Sequence, residues 1–252
     1  DEAAASGASF SRQVAPADSD TGSGDGGSTS AETLSWRNKT GEQFDAIGIY
    51  FSFSEGIASF SNLLVNTKGE GFSIRFIGTD SSKAAFAFVD SVDFDVATGL
   101  AYKIALSTYP GTAYGGSPFA PQPVVAVQDI GGNTITTHNG GTVTATIRDD
   151  ATYANPTGAA LYGTATVAIV NGFAKFDGLY ISVAGSPYVI SFVADLELSG
   201  PTVVYSNPFA VGVGAAFQLV FKAAPSDGAI VAGQAFAVQP KLRVLDAGGN
   251  LL

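Results

Sequence analysis

The sequence predicts an all-β chain of tandem β-sandwich domains with a period of about 116 residues, and three observations predict it. The first is texture: 18 Phe, 9 Tyr and 31 Gly among many Val, Thr and Ser favour half-buried pleated surfaces and tight turns over helices. The second is size: 252 residues, 46% hydrophobic and 13% charged, can bury a sizeable core and leave room for about one to three domains. The third is that the chain matches itself. GSPFAPQPVVAVQDIGGN, ending at Asn133, parallels GQAFAVQPKLRVLDAGGN, ending at Asn250, with Phe119/Phe236, Pro123/Pro240, Asp129/Asp246 and Gly132/Gly249 each 117 positions apart. From Gly56 and Gly172, two further segments align at an offset of 116, with Phe60/Phe176, Leu63/Leu179, Gly69/Gly185 and Phe72/Tyr188 in register. A third pair aligns Phe94 with Phe209, Val96 with Val211 and Pro110 with Pro225 at 115.

Three matches in chain order at nearly one offset define a unit too long for a propeller blade or solenoid coil and of the size of one sandwich of ~100 residues plus a linker. Within one unit, alternation and turn signals place strands at residues 124–128, 141–148, 165–170, 174–176, 188–194 and 202–211, with 216–222 opening the next unit. Pro121 and Pro123 sit ahead of the first strand, as an edge or strand start tolerates, and Pro201 and Pro208 interrupt the last segment. Asp129 and Asp246 each precede Gly-Gly-Asn, where an Asp side chain caps a turn and Gly takes positive φ.

Three patterns carry a family resemblance: QP-x-V-x-V-x-D-x-x-GN at 122–133 with its copy at 239–250, where Leu242 stands for the first Val, G-x-A-x-F at 172–176, and G-x-x-Y at 185–188. This pattern resembles the bacterial immunoglobulin-like repeats of large surface proteins, the stalks of invasins and adhesins, and similar repeats occur in extracellular proteins of algae and protists. The resemblance covers most of residues 44–252. It implies tandem immunoglobulin-like β-sandwiches, and fixes function poorly. Tyr188, two residues before Ile190, falls where such a domain can form a tyrosine corner, with core packing as the alternative; the other copy has Phe72.

The expected organisation is a partial strand and a Gly/Ser/Asp-rich loop or linker over 1–33, the C-terminal part of one repeat over 34–101, a complete repeat over 102–212, and the first strands of another over 213–252. Residues 8–12 are expected to stand where 143–148 stand in the complete copy. The last residues thus fall about two strands into a repeat. Two arrangements account for this register: a window on a longer tandem array, or a polymerising subunit whose C-terminal strands complete the next subunit by β-strand complementation. Phe217, Leu219, Phe221, Phe236, Leu242 and Val244 are the expected subunit interface, each worth about 1.5–3 kcal/mol on burial.

No apolar run approaches the ~18 residues of a membrane span, and residues 1–5 lack a basic-then-apolar leader pattern, so the expectation is a soluble chain. Zero Cys removes disulfides, thiolate catalysis and Cys metal sites, and zero Met leaves little for oxidants, which suits an extracellular or cell-surface location. A net charge of −10 repels phosphate backbones and argues against nucleic acid. His138, the lone histidine, sits among Thr137, Asn139 and Gly140 without the spacing of a zinc site or a triad, and is expected as a solvated loop residue. Asp90, Asp93 and Asp95 are weak calcium candidates, the alternative being edge-strand charge that deters aggregation. No other cofactor is expected. Asn38-Lys39-Thr40 is a glycosylation sequon, with an unmodified turn as the alternative. Trp36 is a core anchor or a sugar platform. The expected function is a non-catalytic structural subunit of an extracellular filament, stalk or surface coat whose partners are other copies of itself. An adhesive or carbohydrate-binding module contacting surface polysaccharide is the alternative.

Overall fold

The computed structural model of the protein describes residues 33–37, 43–45, 57, 60, 63–79, 85–149, 158–226 and 231–252. Residues 8–12 and Asn38 lie outside them. Among the described residues the chain is all-β, without a helix, and every sheet is antiparallel. It divides into two compact units: Asp1–Leu100 with Asp129–Asn133, and Ala101–Gln128 with Thr134–Leu252. The segment after residue 212 therefore belongs to the same unit as residues 101–128 and 134–212.

The first unit contains β1 (Thr33–Arg37), β2 (Gln43–Asp45), β3 (Gly69–Thr79), β4 (Ala85–Asp90) and β5 (Phe94–Val96). Their sheet runs β2-β1-β3-β4, with β5 also on β3. Phe72 is buried at its centre, packed by Phe60, Leu63, Ile74, Phe76, Phe94 and Val96.

The second unit follows with β6 (Lys103–Thr108), β7 (Thr112–Tyr114), β8 (Ser117–Ala120), β9 (Val124–Gln128), β10 (Thr142–Asp149), β11 (Leu161–Tyr162), β12 (Thr166–Ala168), β13 (Phe173–Lys175), β14 (Tyr180–Ile181), β15 (Gly185–Asp195), β16 (Val203–Tyr205), β17 (Phe209–Val211), β18 (Gln218–Ala223) and β19 (Lys241–Leu245). One sheet runs β12-β10-β15-β16 with β17 also on β15; the other runs β13-β9-β6. Strict alternation along β10 sends Val143, Ala145 and Ile147 inward, where they join Ile190 and Phe192 of β15 and Val125 and Val127 of β9 in one core. The expected 202–211 strand is split into β16 and β17 around Ser206-Asn207-Pro208, as β4 and β5 are split around Ser91-Val92-Asp93.

Matching bonds recur at the offsets found in the sequence. β3 and β15 each span eleven residues. Gly69 pairs with Val96 and Phe72 with Phe94 across a bulge, as Gly185 pairs with Val211 and Tyr188 with Phe209. The Ile74 amide donates to the Ser91 hydroxyl and the Ser91 amide to the Ile74 carbonyl, at 2.9 and 2.8 Å. Ile190 and Ser206 exchange the same two bonds, both at 2.9 Å. Phe60 meets Phe76 at 5.0 Å and 59°, and Phe176 meets Phe192 at 5.3 Å and 59°. The bulge glycines leave room for a ring: a Cβ would lie 2.6 Å from the Phe72 ring at position 69 and 2.8 Å from the Tyr188 hydroxyl at position 185. Tyr188 donates to the Val183 carbonyl at 3.4 Å, a long bond five residues upstream, as a tyrosine corner would.

The strand on β3 with the register that β10 has on β15 is β1, Trp36 pairing with Ile74 as Ile147 pairs with Ile190; residues 8–12, expected in that place, lie outside the described residues. One expectation needs correction. His138 is half-buried, not freely solvated; its amide bonds the Ile135 carbonyl, its own carbonyl accepts from Gly172, and its Nε2 is covered and has no hydrogen-bond partner.

Candidate functional site

The residues with the most elaborate polar geometry are the two Asp-x-x-x-Asn turns. Asp129 accepts the Gly99 amide at 2.9 Å, the Asn133 amide at 2.8 Å, and the Asn133 side-chain amide at 3.1 and 2.9 Å. Asn133 then reaches far back along the chain, donating to the Asn66 carbonyl at 2.5 Å and accepting the Lys68 amide at 2.9 Å. Asp246 and Asn250 repeat every bond: Gly214 and Asn250 amides at 2.8 Å each, the Asn250 side-chain amide at 3.0 and 2.9 Å, the Ser182 carbonyl at 2.8 Å and the Ala184 amide at 2.9 Å. Each turn is a clamp: the carboxylate aligns the Asn, and the Asn grips the backbone of a distant loop as a strand neighbour would.

The Gly-Gly that precedes each Asn has two separate reasons. Gly132 and Gly249 take φ of 88° and 86°, the left-handed region. Gly131 and Gly248 lie so close to the Asn66 and Ser182 carbonyls that a Cβ would collide with them.

Both carboxylates are buried. Burial pushes their protonation upward, but for Asp129 the bonds from the Asn133 side chain and the Gly99, Asn133 and Gly131 amides outweigh it. For Asp246 the Gly214 amide, the Asn250 side chain and the Asn250 and Gly248 amides do the same. Both are held below the usual carboxylate range and remain charged acceptors, engaged by donors rather than presented to a substrate.

A second shared device is glutamine. Gln122 donates to the carbonyls of Phe119 and Leu179 at 2.9 and 3.1 Å and accepts the Leu179 amide at 3.0 Å, tying β8 and β9 to the loop that leads into β14. Gln239 makes the corresponding bond to the Phe236 carbonyl at 3.0 Å. β18 and β19 pair only with each other among the described residues, and Phe217, Leu219, Phe221, Phe236, Leu242 and Val244 are all exposed on them and their flanks. In the first unit, a cavity of about 430 Å³ opens beside Leu63, Ile74, Phe94 and Val96.

The weak calcium candidates are not brought together. Asp90 forms a two-pronged pair with Arg75 at 2.6 and 2.7 Å, and Asp95 accepts the Gly71 amide at 2.8 Å. Among the described residues there is no group of three or more acidic or histidine side chains that could hold a metal. Trp36 lies on β1, paired in the sheet. No helix among the described residues is long and apolar enough to cross a membrane. No protein-family model matches the chain, and no curated protein matches it.

Proposed function

We propose that this chain is a structural subunit of an extracellular filament, stalk or surface coat, built from tandem immunoglobulin-like repeats and without catalytic activity. The observation that carries the reading is the duplicated clamp: every partner of Asp129 and Asn133 has a counterpart for Asp246 and Asn250 at an offset of 115–117. A clamp that grips only backbone atoms of the distant loop serves any repeat whose loop has the same course, whatever that loop's side chains, and that suits an array in which one joint is used many times. The absence of cysteine fits sandwiches held by cores and clamps rather than by disulfides.

The function so described is mechanical. In β10 and β15 the chain runs antiparallel over eight paired residues from Thr142↔Asp195 to Asp149↔Tyr188, a ladder that must be sheared before the sandwich can extend. Single-molecule pulling should show a resisted event that releases one complete repeat of roughly 110 residues, about 370 Å of contour at ~3.4 Å per residue. A chain that extends without such an event would refute the mechanical role. A second reading, a carbohydrate-binding module, has one supporting observation: Tyr162, 44% exposed, stacks on Tyr180 at 5.1 Å and 14°. Retention on polysaccharide resin that is lost in Tyr162→Ala would favour it.

A further inference from the structure

We propose that β18–β19 of one chain packs on the β3–β5 sheet of a second copy, with Phe236 seated in the cavity beside Phe94. This rests on the tandem-repeat reading and adds to it the partner, the register and the anchoring residue.

The template is the complete sandwich in the second unit. There β6 pairs with β9 as β18 pairs with β19, bulge included: Ile104↔Val127 matches Leu219↔Val244, and Leu106↔Val125 matches Phe221↔Leu242. Yet Ile104, Phe119, Val125 and Val127 are at most 3% exposed, while the matched Leu219, Phe236, Leu242 and Val244 are between 38% and 66% exposed. The local structure is the same and the burial is opposite, so what differs is the covering layer.

That covering layer has a counterpart in the first unit. In the complete sandwich Phe119 packs in one core with Leu179, Ile190, Phe209 and Val211, its ring meeting Phe209 edge-on at 5.7 Å. The residues matched to those four are Leu63, Ile74, Phe94 and Val96, and they line the 430 Å³ cavity. Phe236 is matched to Phe119. One surface thus displays the aromatic side chain and the other the socket that holds its equivalent. The backbone agrees: Gln122 is bonded in both directions to Leu179, Gln239 already has the same bond to its own Phe, and the residue matched to Leu179 is Leu63. β13 sets the register. Phe173 pairs with Ala126, which places Ile57 of one copy opposite Arg243 of the other.

A second copy is the occupant because each chain carries both surfaces, the exposed ladder and the socket, and they are complementary rather than alike. Such a contact is head-to-tail and propagates.

The chain has no cysteine, so a directed cross-link can be read without background. In the sandwich the Val127 amide donates to the Gly172 carbonyl, which makes Phe173/Ala126 a non-hydrogen-bonded pair, with Cα atoms about 4.5 Å apart, within reach of a disulfide. Ile57→Cys chains mixed with Arg243→Cys chains under mild oxidation should give a heterodimeric cross-link, and Ile57→Cys mixed with Gln218→Cys should not. Sedimentation of the unsubstituted chain should show concentration-dependent oligomers that are lost in Phe236→Asp, while far-UV circular dichroism of that variant keeps its β signal. A monomer at all concentrations, or equal cross-linking of the two mixtures, would overturn the proposal. If those monomers retain protected Ile190 and Phe192 amides, the sandwich stands and only the complementation fails; the tandem-repeat reading stands or falls on the pulling experiment.

Discussion

Replacing Asp246 by Ala removes the centre of the second clamp and leaves the strands untouched. The carboxylate receives the Gly214 and Asn250 amides at 2.8 Å and the Asn250 side chain at 3.0 and 2.9 Å, with no exposed surface of its own. A hydrogen bond to a charged group contributes roughly 1.5–3 kcal/mol, and two backbone donors lose theirs; rehydration of the opened turn returns part, leaving a loss of about 3 kcal/mol. The loss is local, because what opens is the grip of Asn250 on Ser182 and Ala184 rather than the sandwich core. At about 1.4 kcal/mol per factor of ten, amide exchange at Ala184 and Gly214 should accelerate about 150-fold, measured by hydrogen–deuterium exchange at neutral pH. Amides of Ile190 and Phe192, inside the ladder, should change far less. Unaltered exchange at Ala184 would show that the Asn grips the loop without the carboxylate, and the clamp as described would be wrong.

Three further outcomes follow from the same geometry. Because the folded pKa values of Asp129 and Asp246 are depressed, their contribution is present above the ordinary carboxylate pKa near 4 and is lost as pH falls through the folded values; the stability gap between the parent chain and the Asp246→Ala variant should close in acid. A gap that persists unchanged at pH 2 in thermal unfolding would contradict this. Phe192→Ala removes a fully buried ring that packs on Phe176 at 5.3 Å and should cost about 3–5 kcal/mol in urea unfolding, where a loss under 1 kcal/mol would place that ring outside the core. Gly185→Ala puts a Cβ 2.8 Å from the Tyr188 hydroxyl and should destabilise by roughly 1–3 kcal/mol in urea unfolding, where unchanged stability would show that the ring does not depend on the missing Cβ.

Much of this fold was legible in the sequence because it is written in side chains with a period. The inward alternation of Val143, Ala145 and Ile147 marked β10, and the Phe60/Phe176 and Phe94/Phe209 matches marked residues that do pack at equivalent places. The short pairs β7–β8 and β11–β14 escaped, since two to four residues carry too little alternation to register. The clamp was half legible. Asp129 and Gly132 announced a turn, but the partners of Asn133 are backbone atoms of Asn66 and Lys68, and the equivalent partners are in Ser182 and Ala184, so no residue identity betrays the contact. A signal was available for the serine bonds: Ser91 and Ser206 stand three residues before the aligned Phe94 and Phe209, just ahead of the aligned stretch, and extending that match would have paired them. The histidine reading failed because a polar neighbourhood in sequence does not report what folds over it, and the carbonyl of His138 is drawn in by the Gly172 amide.

Whether the chain is a structural subunit of tandem repeats can be seen in electron micrographs of the native material. A subunit of that kind gives continuous filaments or stalks along which sandwich-sized domains succeed one another at a regular spacing. Discrete, unconnected particles under native conditions would rule that role out.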